Sequence, residues 1–286
     1  MKRRRRAGYQ IIPFPWLRLP ILDSMRAVRG KPLMHALMET DVTLARQALR
    51  EHEERTGEKL SFTAFITSCV ARAVEEYPAA QAYRLGRKRL ILFDDVDVCA
   101  QIEHRTGRSR QASPYVIRAA NRKPLRAIHE EIRAVQAADI GDAWEMRGRR
   151  LYPLLPRPLR MLFWRFFDRN PRLKQRIGGT VMVTALGMFG KGVTGWGVAP
   201  TSDYTLEIIL GGIVERPAVV EGALAVRQYL CMTVSVDHDV IDGAPFARFI
   251  QRLNELIKSG YGLAEAGVSL AAGAEARRAD AVLSGR

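Results

Sequence analysis

The sequence predicts an α/β sandwich folded as one domain. Stretches with apolar residues at helical spacing recur along the chain, and long Val/Ile-rich runs of strand character lie between them. The hydrophobic content of 47% over 286 residues is enough to bury a full core.

Residues 1–29 begin with basic residues followed by apolar ones, which imitates a secretory leader. Pro13, Pro15, Arg18 and Pro20 interrupt the apolar part and no small-x-small cleavage site follows, so the segment is expected to be an extended, basic arm. Residues 31–42 read as a strand leading into Asp41, which caps a helix over 43–55 that stops at Gly57. Ser61 caps a second helix with Phe65, Cys69, Val70, Val74 and Tyr77 on one face, and Pro78 ends it. Residues 89–103 are expected to form one strand and 114–120 a shorter one. Leu125, Ile128, Ile132 and Val135 then share a helical face, with Pro124 in the first turn.

In 147–176, Leu159, Phe163, Phe166 and Leu173 can share a helical stripe that Pro171 must break or kink. Strands are expected at about 179–186, 204–215 and 227–236. A last helix over 244–259 has Phe246, Phe249, Ile250, Leu253 and Leu256 on one side and is closed by Gly260. The Ala-rich residues 264–286 are expected to form a flexible tail.

Cys69, Cys99 and Cys231 are odd in number, far apart and set in apolar runs, which predicts buried free thiols in a reducing compartment and a cytoplasmic location. No pair has zinc-site spacing, and no apolar run approaches the ~20 residues of a membrane span. The net charge of +15 is localised. Lys2 and Arg3–Arg6 contribute five positive charges and residues 147–176 a net of +9, leaving the body near neutral. Such patches favour docking of an acidic partner, a phosphate or an anionic lipid surface over whole-surface binding of nucleic acid.

Two motifs carry candidate chemistry. Residues Gly190–Gly195 spell G-x-G-x-x-G, but Gly197 and Pro200 follow where a dinucleotide site needs a helix, so the run reads as a turn where backbones pass closely. His238 follows the apolar strand Tyr229–Val236 and precedes the Asp242–Gly243 turn. A histidine held at a strand end suits a general base; the same position also suits a core-capping histidine with a satisfied ring. A metal set of His238, Asp239 and Asp242 lacks a second nearby histidine.

The His-x-x-x-Asp-Gly of "DHDVIDGA" resembles the active-site motif of the dihydrolipoamide acyltransferase component of 2-oxo acid dehydrogenase complexes, which chloramphenicol acetyltransferase shares. "GGTVMVTALGMFG" (178–190), "IILGGI" (208–213), "LMETDVT" and "LSFTAFITSCVARAVEEYP" are similar to further segments of that catalytic domain, in the same order. The resemblance covers about 30–260. It implies a two-layer sandwich of the chloramphenicol acetyltransferase-like type, with a mixed sheet and packed helices, over residues 30–263. By resemblance, His238 is the general base, the Thr184 hydroxyl stabilises the oxyanion, Asp242 is a structural carboxylate, and Gly187 and Gly243 are structural glycines of the site. The resemblance also implies coenzyme A as a substrate and a homotrimer, or an assembly of trimers, in which Thr184 and His238 face each other across an interface.

Thr184-Ala185 stands where the family usually has Ser-Asn, and Asp239 stands where it has an arginine. The usual basic helix is shortened to "DSMRAVRGKP", leaving Arg26 as the candidate partner of Asp242. Residues 1–29 contain no lipoyl or peripheral-subunit-binding domain, so a lipoylated partner in trans is the expected acceptor, and 147–176 reads as an insertion. That insertion either packs on its own subunit or docks an acidic carrier or a membrane interface. An assembly scaffold of the same fold, and an O- or N-acyltransferase acting on a small molecule, are the competing functions.

Overall fold

Proline at position 20 does not prevent a helix. In the computed structural model, which describes residues 4–6, 9–15, 18–106, 109–138, 152–186, 194–220 and 222–270, strands β1 (Arg4–Arg6) and β2 (Tyr9–Ile11) form a small antiparallel ribbon. Helix α1 (Leu19–Ala27) follows, with Pro20 in its first turn. The missing N–H of proline costs no intrahelical bond there, so the expected extended arm contains a helix instead.

Strand β3 (Leu33–Asp41) ends where the Asp41 carboxylate accepts from the Thr43 N–H at 2.9 Å and the Thr43 hydroxyl at 2.6 Å, which starts α2 (Thr43–Thr56). Gly57, with φ of 74°, ends that helix. The Ser61 hydroxyl accepts from Ala64 N–H and starts α3 (Phe62–Glu76), which is buried along most of its length. Strands β4 (Tyr83–Leu85) and β5 (Arg89–Ile91) make a separate hairpin.

The single strand expected over 89–103 is therefore two. A bend at Asp94–Asp95, held by Arg122 on the Asp95 carboxylate, separates β5 from β6 (Val98–Thr106). Strand β7 (Ser109–Ile117) begins earlier than expected and includes Pro114, which a strand at the edge of a sheet tolerates. Helix α4 (Leu125–Ala137) follows, and then α5 (Arg157–Arg169) and α6 (Pro171–Gly178), with Pro171 at their junction as expected. Strands β8 (Val181–Ala185), β9 (Leu206–Val220) and β10 (Ala223–Asp237) and helix α7 (Gly243–Ser259) complete the fold.

The main sheet has the order β3-β10-β9-β8-β6-β7, with β8 parallel to both its neighbours and the other pairs antiparallel. Val181, Val183, Leu206, Ile208, Val234 and Val236 point from one face into the core shared with α2, α3, α4 and α7. Phe246, Phe249, Leu253 and Leu256 anchor α7 there, and each is worth roughly 1.5–3 kcal/mol when fully buried. The other face is partly covered by α1, which forms a cavity with Cys99, Gln101, Met182 and Glu207.

Gly195, with φ of 107°, accepts the Gly212 N–H through its carbonyl, and a Cβ on Gly211 would overlap that carbonyl. This part of the glycine-rich run is thus a close approach of two backbones, as expected; Gly190 lies outside the described residues. The first residues of the expected tail are packed: Ala266 and Val268 are buried and the Val268 N–H returns to the Leu263 carbonyl, and 271–286 lie outside the described residues. All three cysteines are buried and unpaired.

Candidate active site

The backbone around His238 is tied down on several sides. Asp237 N–H donates to the Thr205 carbonyl at 2.9 Å, His238 N–H to the Pro32 carbonyl at 2.8 Å, and Val240 and Ile241 return to the Asp237 carbonyl in a tight turn. The imidazole itself is 48% exposed. Its Nδ1 lies 3.9 Å from Asp242 Oδ1, beyond hydrogen-bond range. The other histidines with described side chains are satisfied. His35 bonds Ser235, His52 bonds Glu58, and His129 accepts the Ser61 N–H. A rigid base with an open ring is what a proton acceptor needs. The core-capping alternative required a satisfied ring, which His238 lacks among the described residues.

Asp242 and Gly243 are placed differently from expectation. Asp242 is 86% exposed, caps no N–H of α7 and meets no arginine among the described residues. Arg26 instead lies 3.6 Å from Asp23. Gly243 opens α7 with an ordinary φ, and a Cβ there would enter open space, so the turn does not require glycine within this chain. Gly187 lies outside the described residues. Asp239, where the resembled family has an arginine, forms an ion pair of 2.7 Å with Arg84 of β4, so the inverted charge is matched across the site.

Next to the His238 turn lies a partly buried charge cluster that the sequence did not indicate. Asp168 Oδ1 is 3.0 Å from Lys174 and 3.4 Å from Lys31, and Lys31 lies 3.9 Å from Asp237. Lys174 is buried with its ammonium 4.7 Å from the Tyr83 ring centre. These groups, with Arg84, Thr205 and Asp239, the residue after His238, line a cavity of 570 Å³ that the His238 side chain itself does not line. Burial pushes the Asp237 carboxyl above the usual range against the pull of Lys31. Burial also lowers the Lys174 ammonium, helped by repulsion from Lys31. Asp168 is held below the usual range: burial opposes its ionisation, but the two lysines outweigh it.

A carboxylate lowered in the fold contributes stability above its unfolded pKa of ~3.9 and loses it as pH falls through the folded value. Asp168→Asn is therefore expected to cost about 1–3 kcal/mol at neutral pH, by leaving Lys31 and Lys174 without their shared anion. The gap between variant and wild type should close below about pH 4. Denaturant melts across that range check this; a pH-independent gap would contradict it.

Thr184 sits on the sheet face opposite the core helices α2, α3, α4 and α7, half-buried between the core residues Val183 and Ala185. Its register runs through Ile209 to Thr233, five residues before His238 and two strands away. At ~3.3 Å per residue and ~4.8 Å per strand, that is about 17 Å along the sheet and about 10 Å across it. One chain does not bring these two side chains together.

The model for 2-oxoacid dehydrogenases acyltransferase (catalytic domain) matches residues 7–141 and 165–264. The unmatched stretch 142–164 begins and ends earlier than the insertion expected at 147–176. The lipoamide acyltransferase component of the branched-chain alpha-keto acid dehydrogenase complex of Bacillus subtilis is 27% identical over 263 residues, covering 88% of this chain and 53% of that protein. The chain thus spans about half the length of this curated relative. A probable dihydrolipoamide acetyltransferase from Listeria monocytogenes superposes with a TM-score of 0.63 at 21% identity, covering 89% of this chain and 96% of that one. The cubic core of the pyruvate dehydrogenase multienzyme complex gives 0.61 at 18% identity, covering 88% and 93%. Both structures share the mixed-sheet α/β fold.

Proposed function

We propose that this chain, which belongs to the 2-oxoacid dehydrogenases acyltransferase (catalytic domain) family, moves an acyl group between coenzyme A and the thiol of dihydrolipoamide. The observation that carries the proposal is the open imidazole of His238 at the end of a rigid buried strand, in a chain of this family. A thiol of pKa ~8.5 is mostly protonated at neutral pH and is a weak nucleophile. His238 removes its proton, and the thiolate attacks the thioester carbonyl. The tetrahedral oxyanion collapses, the carbon–sulfur bond to the first thiol breaks, and His238 returns the proton to the departing thiolate. Thr184 of a second copy supplies the hydroxyl that donates to the oxyanion, since the Thr184 of the same chain is too distant.

That requirement makes the working unit an assembly, a trimer or a larger set of trimers. Coenzyme A and the lipoyl group are substrates in this reading, and the protein works in a reducing, cytoplasmic setting consistent with its buried thiols. The test is thioester exchange, with a panel of acyl-CoAs and free dihydrolipoamide as acceptor. Release of free coenzyme A coupled to acyl-dihydrolipoamide is expected with at least one acyl chain. Transfer only to alcohols or amines would assign the small-molecule function instead, and no transfer to any acceptor would leave the scaffold.

A further inference from the structure

We propose that the outward apolar stripe of α5, with the arginines beside it, docks the chain on the surface of an anionic membrane. The inner side of α5 is already committed. Arg160 Nε lies 3.0 Å from the buried Asp23 of α1. Trp164 Nε1 donates to the Tyr152 hydroxyl at 2.7 Å, which donates to Asp23 at 2.9 Å. Phe167 is buried, with its ring against Trp164. The insertion therefore packs on its own subunit, but through a different face from the stripe read in the sequence.

Leu159, Phe163 and Phe166 of that stripe point outward together with Leu162. They are 53%, 48%, 57% and 63% exposed, respectively, in a protein with an ample core elsewhere. Their spacing puts them on one side of the helix. A packed surface helix ordinarily shows water a polar outer face. Here Arg165 flanks the outer stripe, Arg157 precedes it and Arg172 follows, while Arg169 lines the cavity shared with Asp168 and Lys174. None of the first three has a carboxylate within ion-pair distance among the described residues.

Charge complementarity selects the occupant. A second copy presenting this same face would bring two rows of arginines together, which rules out a two-fold contact through α5; a head-to-tail contact, as in a cyclic trimer, is separated by whether the assembly survives loss of the stripe. An anionic lipid surface offers phosphates to the guanidiniums and acyl chains to the leucines and phenylalanines. The same pairing recurs at the N-terminal end: Lys2 and Arg3–Arg6 precede the exposed Ile11, Ile12 and Phe14, which lead into α1, the helix on which α5 rests. At 13 residues α5 is too short to span a bilayer and would lie in its interface.

The experiment is co-sedimentation of the full chain with vesicles of phosphatidylcholine alone, or with about 30% phosphatidylglycerol to supply anionic charge. Binding is expected to be at least ~10-fold stronger with phosphatidylglycerol and to fade as salt screens it. Leu162→Ser/Phe166→Ser and Arg165→Gln/Arg172→Gln should each weaken binding ~10-fold, with melting temperature and exchange onto free dihydrolipoamide unchanged. The proposal is overturned if the wild type ignores phosphatidylglycerol vesicles, or if both variants bind them as the wild type does. It is equally overturned if Leu162→Ser/Phe166→Ser dissociates the assembly, which assigns the stripe to a copy–copy contact. Slowed transfer to an acidic lipoylated protein without vesicle binding assigns it to that carrier.

Discussion

His238→Ala is expected to lower acyl transfer at neutral pH by ~10²–10⁴-fold, the usual worth of a positioned general base. The fold should be untouched, because the imidazole is half exposed and no side chain relies on it for a hydrogen bond among the described residues. The alanine also leaves intact the backbone bonds from residue 238 to Pro32 and around the turn. The loss should shrink as pH rises past the thiol pKa of ~8.5, where the acceptor ionises without help. A pH–rate profile on purified variant and wild type checks both statements. Near wild-type turnover at neutral pH would remove His238 from the chemistry; an equal deficit at every pH would give it a role other than proton acceptor.

Thr184→Val should depress turnover ~10²–10³-fold, the cost of losing one oxyanion donor. Acyl-CoA affinity should change little, since the hydroxyl acts on charge that develops only in the transition state. Valine keeps the β-branched shape and suits β8, so folding should survive. The separation of Thr184 from His238 within a chain adds a sharper expectation. Chains carrying only His238→Ala and chains carrying only Thr184→Val should each be inactive, yet mixed assemblies should regain activity. With random mixing in a cyclic trimer, about a quarter of the interfaces hold both intact residues. Co-expression followed by activity and light-scattering measurements tests this. An active monomer, or a mixture as inactive as its parents, would defeat the two-chain site.

How much was legible in the sequence depended on how local each signal was. His238 was readable because one short stretch contains the buried strand, the histidine and the Asp242 turn. The capping positions Ser61 and Gly57 are local too, and they mark the helix ends as expected, while the expected cap Asp41 sits one residue before the actual cap Val42 and reaches Thr43 from there. The strand over 89–103 misled because Val and Ile content hides the bend that Asp94 and Asp95 impose. The cluster of Lys31, Asp168 and Lys174 could not be read, because more than a hundred residues separate Lys31 from its partner. The Arg84–Asp239 pair is hidden for the same reason. In α5 the sequence signalled a helix but not its orientation, since Trp164 and Phe167 on one side and Leu162 and Phe166 on the other are equally apolar. Only Asp23, from α1, decides which side turns inward.

The first long strand of the protein has a late companion. β3 pairs in the sheet with β10 alone, joining Leu33–Asp41 to Tyr229–Asp237 across most of the sequence. At a synthesis rate of ~5–20 residues per second, the ribosome makes the second strand about 10–40 s after the first. During that interval α2 and α3 can form, but the backbone of β3 has no native partner, and both of its edges are open to other chains. The His238 turn is completed in the same late step, because it ends β10 and hangs from Pro32 at the start of β3. Closure of the sheet and construction of the His238 turn are thus a single event, and nascent chains that stop short of residue 229 would lack both and be prone to pair with one another.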